Sequence, residues 1–269
     1  MTSARAVALG DGARAERTDR LATEEPLEIR AQGPVQAARA VAVTMRTPGS
    51  DFELAAGFLW SEALINDPRG VRRVSYCEDL PDAEQEWNVV TVELEAPFDP
   101  DRAARTFAVT SSCGVCGRAT LDEVEVRCAP LGDGPTVTAD VLASLPDRLR
   151  DGQTVFEQTG GLHAAGLFEP DGRLVALRED VGRHNAVDKI VGRGVLAREL
   201  PLAGGVLQVS GRVSFEIVQK AARAGIPIVA AVSAPSSLAV EAAERLGVTL
   251  AAFVREGRAT VYAHPERIV

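Results

Sequence analysis

Apolar and polar residues alternate in short runs along the first third of the chain. "LEIRAQG" (27–33) and "RAVAVTM" (39–45) change sides at every residue and are separated by a Gly-Pro pair, which predicts two strands joined by a turn. In "SDFELAAGFLWSEALI" (50–65) the period lengthens. Phe52, Ala55, Ala56, Leu59 and Ala63 share one face, and Ser50 with Glu53 forms a capping-box pattern, so a helix is expected. "VRRVSYC" (71–77) and "WNVVTVELE" (87–95) read as two further strands.

The texture changes after residue 135. "TADVLASLPDRLRDGQTVFEQTGG" (138–161) is helical on either side of Pro146, and "LHAAGLF" with "RLVALRE" flanks "EPDG" as a hairpin. A helix follows over 183–199, with Ala186, Ile190, Val191 and Val195 on its apolar side. Strands "GGVLQVS", "IPIVAAVS", "TLAAFVRE" and "ATVYAH" are then interleaved with helices "SFEIVQKAARAG" and "SSLAVEAAERLG". Near-continuous apolar strands separated by helices predict a sheet with parallel pairs, covered on both faces. The expected organisation has four parts: an unstructured tail over 1–24, a small α+β region over 25–109, a mobile loop over 110–134 and an α/β domain over 135–269.

Composition narrows the function. The 29 basic and 38 acidic residues give a net charge of −9, which argues against broad nucleic-acid binding. No stretch reads as a signal peptide or a membrane span, so a cytoplasmic protein is expected. Four cysteines are too few for a secreted disulfide scaffold of 269 residues.

Ligands of open α/β sheets sit beyond the carboxyl ends of strands. Those ends read Ser210-Gly211-Arg212, then Ser233-Ala234-Pro235-Ser236-Ser237, then Arg255-Glu256-Gly257-Arg258. Singly, Ser236 reads as a helix cap and "REGR" as a hairpin turn. Jointly the three ends suit an anion or a nucleotide, although the spacing is not that of a P-loop. The segment "REDVGRHNAVDK" crowds Glu179, Asp180, Arg183, His184, Asn185 and Asp188 at a hairpin-to-helix junction. It reads either as a cap with a solvated first turn, or as a polar wall of the same cleft with Arg183 and His184 as donors. His163 is a further candidate donor.

Cys113 and Cys116 in "TSSCGVCGRATLDE" form the one Cys-x-x-Cys pair. Zinc needs more ligands than two, which only a split site with His163 or His184 would supply. A redox dithiol uses the same spacing, though thioredoxin-like proteins place it early in a βαβ unit. A persulfide carrier needs an exposed, acidified thiol, and Arg118 together with the glycines at 114 and 117 suits one. From spacing alone, sulfur transfer and thiol redox chemistry stand level.

"SSCGVCGRATLDE", "TGGLHAAGLF", "REDVGRHNAVDKIVG" and the long closing stretch from "SGRVSFEIVQ" to "HPERI" together resemble the FdhD family, the formate dehydrogenase accessory sulfurtransferases. The resemblance spans residues 27–268. It implies a sulfur carrier that accepts sulfur from a cysteine desulfurase and passes it to the bis-molybdopterin guanine dinucleotide form of the molybdenum cofactor, ahead of the formate dehydrogenase catalytic subunit. Cys113 would be the persulfide cysteine and Cys116 its partner. Phe253, Val254, Arg255, Glu256, Gly257 and Arg258 would contact the cofactor, whose place a GDP-like nucleotide could take. The resemblance also implies a homodimer and a three-layer α/β/α, cytidine-deaminase-like second domain with a mixed sheet. Deamination itself lacks its parts, because Ala165 stands where a catalytic glutamate would follow His163. The alternative is a thiol oxidoreductase or a cofactor-binding assembly chaperone.

Overall fold

The computed structural model describes residues 1–10, 13–77, 86–99 and 128–269. In chain order the strands are β1 (Thr2–Gly10), β2 (Ala13–Leu21), β3 (Glu25–Gln32), β4 (Arg39–Arg46), β5 (Val71–Tyr76), β6 (Val89–Leu94), β7 (His163–Phe168), β8 (Leu174–Asp180), β9 (Val206–Val209), β10 (Ile228–Ala231), β11 (Thr249–Arg255) and β12 (Arg258–Ala263). The α-helices are α1 (Asp51–Ser61), α2 (Ala139–Asp151), α3 (Thr154–Thr159), α4 (Arg183–Ala197), α5 (Phe215–Arg223) and α6 (Ser237–Leu246).

The alternation of β3 has the expected consequence. Leu27, Ile29 and Ala31 are buried, while the intervening residues are only partly so. β3 is flanked by β4 and β6 in a four-stranded sheet of order β4-β3-β6-β5, and Leu54, Ala55 and Leu59 of α1 join its buried face. α1 starts differently from its capping-box pattern. Ser50 adopts a left-handed φ of 56° and its side chain makes no cap bond. Asp51 takes over, accepting from Gly49 N at 3.2 Å and binding the buried Arg46 guanidinium at 3.0 Å.

The second sheet has six strands in the order β12-β11-β10-β9-β7-β8, with β9, β10 and β11 parallel. α4, α5 and α6 share one core with one face of it, and Leu142, Leu145 and Leu149 of α2 pack on the other. The (i, i+3, i+7) stripe of those leucines carries α2 unbroken through Pro146. The mixed α/β arrangement agrees with the expectation from sequence. The tail expected over 1–24 is replaced by an antiparallel β1–β2 hairpin, tied down where Arg20 donates to Gln158 at 2.6 Å. In β1 the half-buried positions are the small Ala4, Ala6 and Ala8, while the larger Val7 and Leu9 are exposed, so hydrophobic periodicity does not reveal it.

One continuous core joins the two sheets through the crossing of α1 and α4. A Cβ added at Gly57 would lie 1.8 Å from the Asp188 carbonyl oxygen, and one at Gly192 would lie 1.7 Å from that of Glu53. Only glycine permits this approach. Gly57→Ala is expected to force the helices apart and cost about 1–3 kcal/mol, the range for overpacking. The urea midpoint measures it, and an unshifted midpoint would mean the helices separate freely.

Candidate functional site

The carboxyl ends of β9, β10 and β11 lie at one edge of the sheet. Antiparallel β7 begins there at His163, and His163 pairs with Asp180 at the end of β8. Five chain segments far apart in sequence therefore meet at that edge. A cleft of about 570 Å3 opens between it and the α2–α3 corner, lined from the sheet by His163, Val181, Ser210, Val232, Arg255 and Glu256. Asp147, Arg150, Gln153 and Phe156 form the helical wall. The Arg150 guanidinium stacks over the Phe156 ring at 4.0 Å from its centroid.

The segment 253–258 owes its shape to two departures from regular strand. Phe253 has φ 52° and its N–H reaches Ser233 O at 3.3 Å, so the β11–β12 register slips between Ala252 and Arg255. Glu256 and Gly257 then both take positive φ, 52° and 71°, the requirement of a two-residue I′ hairpin. The turn presents Arg255 and Glu256 to the cleft. Arg258 is exposed and ion-paired with Glu256 at 2.7 Å. Val254 departs from the expected set of contacts: fully buried in the α2-side core, it has only its backbone to offer a ligand. Ser233 engages Phe253 through its carbonyl, and Ser236 caps α6, accepting from Ala239 N at 3.2 Å.

A cationic group stands beside the cleft. His163, Arg183, His184 and Arg212 gather closely enough that burial first, and then the charges of the other three, lower the pKa of His163. Gly211 lets the imidazole in, since a Cβ there would sit 3.2 Å from His163 Nδ1. Arg183 Nε is buried without a hydrogen-bond partner. His184 Nε2 lies 2.9 Å from both Ser214 Oγ and Glu216 Oε2, and this hydrogen bond holds Glu216 below the usual carboxylate range. Ser210 Oγ accepts from Ala164 N at 2.9 Å, leaving its own hydrogen to donate.

His163 is expected to titrate by NMR below the ordinary histidine value, and Arg183→Ala is expected to raise it part of the way, since burial, the larger cause, remains. A depressed imidazole binds fewer protons folded than unfolded. Its contribution to stability is therefore present at neutral pH and is lost as pH falls through the depressed value. An unchanged His163 titration in the variant would separate the two residues.

Of the crowded 179–189 segment, only Arg183 and His184 belong to this cationic group. Glu179 accepts from the N–H groups of Val155 and Phe156 at 3.0 and 2.8 Å, securing the start of α3. Asp180 is fully buried and does not cap α4, whose N-cap is Gly182. Its carboxylate pairs with Lys189 Nζ at 2.7 Å and accepts from Thr47 N at 3.2 Å, Gly182 N at 2.8 Å and Asn185 Nδ2 at 3.0 Å. Asp188 binds Lys220 through both oxygens at 2.9 Å, and Ser61 donates to it at 2.7 Å. These contacts join the two sheets and hold the 181–183 turn beneath the cleft. No sequence motif marks the helical wall formed by Asp147, Arg150, Gln153 and Phe156. The Gly160-Gly161 pair at its end is the one local signal.

Cys113 and Cys116 lie outside the described residues, as do Arg118 and most of the loop expected over 110–134. Cys128 is buried in the core, and burial raises its thiol pKa, while Cys77 is half-buried. No helix among the described residues is long and apolar enough to cross a membrane, and no group of three or more His, Cys, Asp or Glu there is placed to hold a metal.

The FdhD/NarQ family profile matches residues 22–269. The sulfur carrier protein FdhD of Streptomyces coelicolor is 51% identical over 268 residues, covering 97% of this chain and 93% of the relative. That of Mycobacterium tuberculosis is 52% identical over 260 residues, covering 94% and 92%. A crystal structure described as a formate dehydrogenase accessory protein from Desulfotalea psychrophila superposes with a TM-score of 0.77 at 28% identity, covering 100% of this chain and 99% of that one.

Proposed function

This chain belongs to the FdhD/NarQ family, and from that membership we propose that it is a sulfur carrier for formate dehydrogenase maturation. Sulfur arrives as a persulfide from a cysteine desulfurase. The Cys113 thiolate attacks the outer sulfur of the donor, the donor's S–S bond breaks, and the desulfurase leaves as a thiolate. The exchange is redox-neutral and yields a persulfide on Cys113. The acceptor is the bis-molybdopterin guanine dinucleotide form of the molybdenum cofactor, which then passes to the formate dehydrogenase catalytic subunit. Cys116 attack on the inner sulfur would release sulfide and leave a Cys113–Cys116 disulfide, with the two thiols supplying the electrons.

The observation that carries the reading is the strand-end cleft, where Arg255 and Glu256 of the 253–258 segment line the same space as His163, with the Arg183 and Arg212 cations gathered around its imidazole. The unpaired Arg183 Nε and the Arg255 side chain fit the phosphates of a dinucleotide. A homodimer, a cytoplasmic location and kinship of the second domain with the cytidine-deaminase-like fold belong to the same reading.

The test is peptide mass spectrometry after incubation with cysteine and a cysteine desulfurase, without reductant. One added sulfur on the peptide that contains Cys113 is the expected result. A Cys113–Cys116 disulfide with no added sulfur would favour a thiol oxidoreductase, and unmodified cysteines a cofactor-binding chaperone.

A further inference from the structure

The β1–β2 hairpin stands on the rim of the cleft. The hydroxyls of Thr2 and Thr23 close its base at 2.9 Å, and Arg20 donates to Gln158 of α3 at 2.6 Å. Gly161, which lines the cleft, admits the chain that leaves β2: a Cβ there would lie 3.3 Å from the Ala22 Cβ. From that base the nine-residue strands reach roughly 30 Å, and every described side chain on them is exposed or only half-buried. A two-stranded ribbon is marginal in water by itself, so a surface packing on it supplies what a further layer would.

Its two faces differ. The register places Arg5, Val7 and Leu9 of β1 on one face with Arg14 and Arg20 of β2. Val7 is 43% exposed and Leu9 79%, and neither Arg5 nor Arg14 has an ion-pair partner among the described residues. On the other face Ala4, Ala6 and Ala8 are small, and Arg17 is tied to Asp19 at 2.8 Å. Residues 1–21 carry four arginines against three acids, in a chain whose net charge is −9. An acidic surface is therefore repelled by the rest of the chain and attracted by this face.

We propose that the Arg5–Arg14 face is a docking arm for an acidic protein surface, that of the protein which takes the cofactor from the cleft. Its cations steer that surface and pair with its carboxylates, while Val7 and Leu9 pack against its apolar atoms. Position selects the partner, because whatever collects a ligand from the cleft must approach the rim on which the hairpin stands. A nucleic acid or an anionic bilayer would spread its charge over the acidic remainder of the chain as well. The arm rests on the sulfur-carrier reading for the identity of the acceptor, and adds the surface that meets it.

Surface plasmon resonance of the full chain against the cofactor-free formate dehydrogenase catalytic subunit tests it. Wild type should bind, and more weakly as salt rises. Arg5→Glu combined with Arg14→Glu should weaken binding by roughly tenfold or more, chiefly through slower association. Arg17→Glu, on the alanine face, should change it by less than about twofold. Sulfur loading of Cys113 should stay at the wild-type level in both variants. The double variant binding like wild type would remove the arm, and an equal loss in Arg17→Glu would mean bulk charge rather than this face. Loss of sulfur loading with acceptor binding kept would give the arm to the sulfur donor, and tighter retention of RNA or phosphatidylserine vesicles would give it to another class of partner; either overturns the proposal. If the wild-type chain does not bind the subunit, the docking falls, while sulfur loading of Cys113 still tests the carrier reading separately.

Discussion

Cys113→Ser is expected to abolish sulfur loading outright. The carried sulfur is stored in an S–S bond, which a serine oxygen cannot form. Its hydroxyl also stays protonated at neutral pH, whereas a thiol with an ordinary pKa of about 8.5 is readily shifted to thiolate by a nearby cation. Cys116→Ser should still load if the second thiol only resolves the persulfide. It should load less if both positions carry sulfur. Cys128 serves as an internal control: it is buried in the core and its pKa is raised, so Cys128→Ala should load normally. GDP affinity of Cys113→Ser should match wild type, since every residue lining the described cleft is retained. Sulfur taken up by Cys113→Ser to the wild-type level would remove this cysteine from the mechanism.

The second large effect lies beneath the cleft. Lys189→Met would leave the fully buried Asp180 carboxylate without its cation, which stands 2.7 Å away and also donates to the carbonyls of Thr47 and Glu179 at 3.0 and 3.3 Å. Breaking one side of such a pair is expected to cost about 3–5 kcal/mol, read as a lowered urea midpoint. Asp180→Asn combined with Lys189→Met should recover much of that loss, because no uncompensated charge then stays buried. The amide also keeps an acceptor for Gly182 N. A single Lys189→Met costing less than about 1 kcal/mol would show that water reaches the pair, contrary to its burial. The 181–183 turn hangs from Asp180, so Lys189→Met should also disturb Arg183 and weaken nucleotide binding.

Much of the fold is legible in local pattern. The alternating runs correspond to β3 to β6, and the apolar strands interleaved with helices correspond to the six-stranded sheet. The rule that ligands sit at strand ends points to Ser210, Ser233 and Arg255 from residue order alone. The β1–β2 hairpin escapes such a reading because the half-buried positions of β1 are only alanines, Ala4, Ala6 and Ala8, while Val7 and Leu9 are exposed. Val254 falls in with its neighbours, since a six-residue motif does not say which side chains turn inward across a bulge.

The order of strands and helices, the cysteine pair and the arginine-bearing strand ends are all written in the chain itself. Each of those depends on residues within a few positions of one another. Packing in three dimensions was needed to divide the polar 179–189 segment, assigning Asp180 and Lys189 to a buried pair anchored on Thr47 and leaving Arg183 beside the cleft. Packing also brought Gln153 and Arg150 opposite Arg255. The physical reason is that a polar side chain acts on whatever partner packing brings to it. Here those partners lie about a hundred residues or more away along the chain, beyond the reach of any periodicity or motif.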